Sequence, residues 1–163
     1  MTTIEHKFDA LAAFILAEDP ETKETARRAL VAVMKAPTAE TVDMTADEED
    51  IVHNFLAEIG AQPSLIGYKM MVYAIMEEAK HPGAIDNLCR VFYPAIALKF
   101  NTKPERVERA LRHLIDTCWQ FGDIDTLHRY FGQYVREGKD RPTNSSFIAR
   151  SGIICRSKFK KLK

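Results

Sequence analysis

Apolar side chains recur along most of this chain at steps of three and four, the spacing that gathers them on one side of an α-helix. The clearest stretch runs from Thr102 to about Phe121. At about 100° per residue, Val107, Ala110, Leu111, Leu114, Ile115 and Cys118 share one side, while Arg106, Arg109, Arg112 and His113 lie opposite. Thr102 and Glu105 have the T-x-x-E spacing of a capping box, and Pro104 falls in the first turn, where its missing N–H breaks no helical hydrogen bond. The pattern predicts a helix from near Lys103, with one face for burial and the other for contact.

Further helices follow from the same spacing. Thr2 and Glu5 offer a capping box for a helix carrying Ile4, Phe8, Leu11, Ala12 and Ile15. After Glu18 and Asp19, Pro20 opens a second one with Ala26, Leu30, Val33 and Met34, ended by Pro37, so the two read as a helical hairpin. Residues 37–50 are acidic and lack a period, and read as a linker between an N-terminal extension, 1–44, and a main domain, 45–163. Thr45 and Glu48 then offer a cap for a helix with Ile51, Val52, Phe55, Leu56 and Ile59, closed by Gly60.

Ser64 or Gly67 begins the next helix, with Tyr68, Met71, Val72, Ile75 and Met76, until His81, Pro82 and Gly83 break it. Ile85, Leu88, Cys89, Phe92, Tyr93, Ile96 and Phe100 carry a helix through Pro94, whose missing donor predicts a bend or a helix junction. Asn101 tolerates the left-handed conformation at a helix end, so helix, short turn and basic second helix read as a helix-turn-helix. Ile124, Leu127, Tyr130 and Phe131 predict a short helix, residues 133–142 a polar loop with Arg136, Lys139 and Arg141, and Thr143 or Ser145 a cap for a last helix from about Ser146. The basic end, residues 156–163, is expected to fray or to lie on an anionic partner. With no strand pattern, the chain is expected to be all-α.

Charge changes this picture more than composition does. The formal net charge of zero conceals 13 acidic and 5 basic side chains in residues 1–59, against 10 and 18 in residues 60–163, or −8 and +8. A basic half points to a polyanionic partner. Cys89, Cys118 and Cys155 have neither disulfide nor zinc spacing and fit a reducing cytoplasm. The longest apolar run, residues 10–17, is too short to span a bilayer and has acidic flanks, so neither export nor membrane insertion is expected.

Candidate chemistry is sparse. His6, His53, His81, His113 and His128 sit on separate elements, none in a metal or hydrolase motif, and Asp123 and Asp125 beside Gly122 read as cap and turn residues. No enzyme activity, cofactor or metal is expected. Trp119, Phe121 and Cys118 are assigned to the core. A charged helix face is most often a solvated surface, but the sharp turn before this one and the basic residues after it fit a nucleic-acid footprint.

Several motifs carry a resemblance: Ile66-Gly67-Tyr68, Tyr93-Pro94-Ala95-Ile96-Ala97, Lys99-Phe100-Asn101-Thr102, Arg106-Val107-Glu108-Arg109-Ala110, Arg112-His113, Ile124-Asp125, Phe131-Gly132, Pro142-Thr143-Asn144-Ser145 and Phe147-Ile148-Ala149. In order and spacing, residues 59–149 resemble the DNA-binding effector domain of the stage-zero sporulation protein A family, sporulation response regulators of endospore-forming bacteria. The resemblance implies a six-helix, all-α domain with a helix-turn-helix, acting as a sequence-specific transcriptional regulator on double-stranded DNA. It implies that Glu108, Arg109 and Arg112 read bases, with Thr102, Arg106 and His113 beside them and Arg141, Thr143, Asn144 and Ser145 near the DNA backbone. A homodimer on paired sites, and contacts with RNA polymerase or another regulator, are further expectations. The chain departs from the family's full-length members by having a short acidic helical segment where they carry a phosphoacceptor receiver, so control by aspartyl phosphorylation is not expected. A rival reading is an interaction protein whose acidic N-terminal hairpin binds a regulator or covers its own DNA-binding face.

Overall fold

The computed structural model describes Pro20, residues 46–132 and residues 141–162. Apart from Pro20, the predicted N-terminal hairpin, together with Thr45 and the loop residues Arg136 and Lys139, lies outside the described residues. Among the described residues the ordered elements are all helical: α1 (Ala46–Glu58), α2 (Ile66–Lys80), a π-helical turn (Leu88–Phe92), α3 (Tyr93–Lys99), α4 (Pro104–Phe121), α5 (Ile124–Phe131) and α6 (Asn144–Phe159). The all-α reading holds.

α1 begins at Ala46, directly after the Thr45 expected to precede it and within the acidic end of the 37–50 stretch, where Asp47, Glu48 and Glu49 place negative charge against the unpaired N–H groups of its first turn. Val52, Phe55 and Leu56 are its buried stripe. Gly60 ends it with φ 79°, a conformation other residues adopt only with strain, and the Ala61 N–H closes back on the Leu56 carbonyl at 2.9 Å.

α2 is the central helix, packed against α1, α4 and α6. It buries side chains around its whole circumference, from Tyr68, Met70 and Met71 to Ile75, Met76 and Ala79. It starts at Ile66, between the two expected starting points and one residue before Gly67: a turn from Gln62 to Leu65 places Ser64 outside the helix, and Leu65, extended at φ −75° and ψ 141°, is the N-cap. A Cβ at Gly67 would overlap the backbone carbonyl of Ala110, so the absence of a side chain there lets α2 and α4 cross at backbone contact. At the far end, buried Glu78 accepts from the Gly83 N–H at 3.1 Å and the Ile85 N–H at 3.3 Å, fixing the turn that follows.

The predicted junction at Pro94 takes the form of the π-helical turn running into α3, with Pro94 in the first turn of α3. Pro94 has no N–H to give the Arg90 carbonyl, and the wider turn absorbs the mismatch. Asp123 caps α5, accepting from the Thr126 N–H at 2.9 Å; hydrogen bonds from Thr126 lower its carboxyl pKa. Thr143 caps α6 through the Ser146 N–H at 3.1 Å, so α6 begins two residues before the expected Ser146.

An aromatic cluster joins these helices. Phe131 and Phe147 stack at 4.6 Å and 9°, with Trp119 5.6 Å and Phe55 6.3 Å from Phe131. Two expectations are corrected here. The basic end does not fray from residue 156, because α6 continues to Phe159, whose ring is buried. Phe121 is not core: it is 67% exposed, since α4 runs on past the helices that cover its apolar stripe. Cys118 and Cys155 are buried, and burial pushes both thiols up to about 12, leaving them unreactive hydrophobes.

Candidate nucleic-acid interface

The corner before α4 is built by the backbone. Asn101 adopts φ 51°, the Thr102 N–H reaches the Ala97 carbonyl at 2.8 Å, and the Asn101 N–H reaches Leu98 at 3.4 Å. These are the two bonds of a Schellman motif, with Asn101 in the place usually held by glycine. The Thr102 N–H is thereby committed to closing α3, and Pro104 requires an extended residue before it. Lys103, at φ −107° and ψ 148°, becomes the N-cap, and no side chain caps it. The predicted capping box is therefore not formed, and Glu105 stands one position too early to complete one. Residues 100–103 separate the two helices, a length that suits a helix-turn-helix.

On α4, Val107, Leu111, Leu114, Ile115 and Cys118 are buried, and Ala110 is half-buried where α2 crosses. Glu105, Arg106, Glu108, Arg109 and His113 are exposed on the other side. The side chains of Glu108 and Arg109 form no hydrogen bond or ion pair with the other described residues. Thr102 is half-buried just ahead of the cap.

Arg112 sits differently. It is half-buried, and its Nη1 donates to the Pro142 carbonyl at 3.0 Å while lying 3.9 Å from the Asp116 carboxylate. Asp116 also takes the Arg141 Nε at 2.6 Å. These contacts tie residues 141 and 142 to α4. Asn144 completes the fastening: its amide donates to the Tyr93 hydroxyl at 2.9 Å and to the Glu108 carbonyl at 3.1 Å. Burial pushes the Tyr93 phenol up to about 12, so it stays a neutral hydroxyl able to accept that bond.

The sequence-selected residues thus meet at one place but in two states. Glu108, Arg109, Arg112, Thr143, Asn144 and Ser145 line one open hollow together with Leu88, Cys89 and Tyr93. Among the described residues the side chains of Arg109 and Glu108 have no hydrogen-bond or ion-pair partner. Asn144, placed by resemblance near the DNA backbone, is 6% exposed and spends its amide inside the protein, and the Thr143 side chain is engaged as a cap. Arg141, Ser145 and the Arg106–His113 flank remain at the surface. Sequence reasoning missed Asp116 and Tyr93 as members of this cluster. Asp116 had a signal, its position four residues after Arg112 on one helix face, whereas nothing local ties Tyr93 to Asn144.

Among the described residues no group of His, Cys, Asp and Glu is placed to hold a metal ion, and no helix is long and apolar enough to cross a membrane. Comparison with known families matches residues 52–152 to the family described as "Sporulation initiation factor Spo0A C terminal". That span, 101 of 163 residues, runs from α1 into α6 and contains the entire helix-turn-helix. Family, fold and exposed charged helix face agree: the chain belongs to the Spo0A C-terminal family, the DNA-binding effector domains of sporulation transcription regulators.

Proposed function

We propose that this protein is a sequence-specific regulator that inserts α4 into the major groove of double-stranded DNA. The observation that carries the reading is the exposed pair Glu108 and Arg109, whose side chains have no hydrogen-bond or ion-pair partner among the described residues, on a helix whose other face is locked into the core. Arg109 can donate two hydrogen bonds to guanine O6 and N7, and Glu108 can accept from cytosine N4. Arg112, steadied by Pro142, presents its remaining donors beside them. Arg106, His113, Arg141 and Ser145 flank this row and suit phosphate contacts, which add affinity but no sequence choice.

The test compares binding to a labelled duplex carrying the family's short G·C-containing box with binding to a scrambled duplex at fixed salt; equal affinities would sink specific recognition. Arg109→Ala should weaken specific binding by about 1 to 3 kcal/mol and relax discrimination at one base pair, leaving scrambled binding less affected.

The charge split between the two halves of the chain favours a second element of this reading, in which the acidic segment 1–44 rather than a phosphoacceptor controls access to DNA. Deleting residues 1–44, which carry 8 acidic and 5 basic side chains for a net −3, should then tighten DNA binding, as expected when their negative charge no longer competes with phosphate for the basic half. Weaker binding to paired boxes would assign the segment to dimerisation instead, and unchanged affinity would remove it from both roles. Contact with RNA polymerase rests on the family resemblance alone, and binding of a second regulator by the acidic hairpin rests on the same charge split.

A further inference from the structure

One acidic side chain lies in line with the proposed DNA-reading residues. Asp116 follows Arg112 by one helical turn and Arg109 by two, so the three share a face of α4. A carboxylate beside DNA opposes binding, yet this one is not idle: it holds Arg141 at 2.6 Å and lies 3.9 Å from Arg112, which in turn bonds Pro142. Two cations meet one anion, and both cations are candidates for DNA contact.

We infer that Asp116 is a positioning residue that occupies Arg141 in place of a DNA phosphate and steadies Arg112, so that the domain holds non-cognate DNA weakly. The inference rests on the major-groove reading above. The Arg141 Nε lies 2.6 Å from the Asp116 carboxylate, a close ion pair, but at half-exposed side chains it is weak enough for a well-placed phosphate to displace. When α4 seats fully in the groove, the base contacts of Arg109 and Arg112 compensate that displacement. On a scrambled duplex they do not, and Arg141 stays with Asp116. The ion pair therefore subtracts more from non-specific than from specific binding, and specificity is that difference.

The experiment measures affinity by fluorescence anisotropy for a cognate and a scrambled duplex, between about 50 and 200 mM salt, with wild type, Asp116→Asn, Arg141→Gln and the double variant. Asp116→Asn should raise scrambled-duplex affinity about three- to tenfold at low salt and steepen the plot of log affinity against log salt by about 0.9, the increment for one added phosphate contact. Cognate affinity should rise less. The gain should vanish when Arg141 is also Gln, and Asp116→Glu should restore wild-type behaviour. Glu105→Gln, which removes an exposed carboxylate from the same helix, should not steepen the salt dependence.

An equal gain from Asp116→Asn in the Arg141→Gln background would overturn the inference, since simple loss of negative charge would explain it while DNA reading survived. Unchanged scrambled affinity and salt slope would overturn it as well. A wild-type protein that binds neither duplex would remove both this inference and the proposed function. Thermal melts of each variant report folding independently, and Asp116, about one-third exposed, tolerates the isosteric amide without a packing defect.

Discussion

Phe131→Ala is expected to lower the free energy of unfolding by about 3 to 5 kcal/mol, the range for removing a fully buried ring. The ring is 0% exposed and packs face to face on Phe147, with Trp119 and Phe55 closing over its other sides. Those neighbours belong to α6, α4 and α1 respectively, so no single helix shift can refill the space. A domain at the lower end of ordinary stability, about 5 kcal/mol, would be left near its unfolding threshold. Chemical denaturation followed by circular dichroism measures the loss. Phe131→Leu, which keeps most of the apolar volume, should lose distinctly less; equal losses would mean that the stack adds nothing beyond a plug of any shape.

Gly67→Val should be nearly as damaging, and by an opposite route. A side chain at this position meets the Ala110 carbonyl, a backbone atom that cannot rotate away, so α2 and α4 must separate. Overpacking of this kind costs about 1 to 3 kcal/mol and sometimes more, and the branched Cβ places valine at the upper end. Gly67→Ala makes the same clash but recovers up to about 1 kcal/mol of helix propensity, so it should lose less stability. The two variants should nonetheless share a defect in DNA binding larger than their loss of folded protein explains, because Ala110 lies beside Glu108 and Arg109. Affinity corrected for the folded fraction checks this; full recovery after correction would show that α4 keeps its place.

The helices whose burial has a single side were legible from the chain. α4 is the example: its apolar stripe and charged face gave its extent to within a residue, and Asn101 signalled the left-handed corner that the backbone adopts. Capping was less legible, because the spacing of Thr102 and Glu105 takes no account of the Thr102 N–H being drawn back to Ala97. Phe121 misled for a related reason: periodicity gives the direction of a side chain, while burial also needs a neighbour at that height along the helix. At the candidate interface, the exposed Glu108 and Arg109 could be read from the stripe and the family likeness. The tether from Asn144 to Tyr93 spans 51 residues of chain, and the tie from Arg112 to Pro142 spans 30, so neither leaves a local pattern.

The crossing at Gly67 and the Asn144 bracket together mean that α4 is pinned along its inner side and at its N-terminal half before any nucleic acid arrives. In the proposed binding mode, a helix so held would meet the groove with its orientation already fixed, and little backbone entropy would remain to be lost, leaving mainly the side-chain entropy of Glu108 and Arg109. Association then resembles docking of a preformed die more than coupled folding, so its heat-capacity change should match the apolar surface buried at the contact itself. Whatever adjustment a mismatched site demands falls on the duplex, and the stiffness of DNA becomes part of the selection.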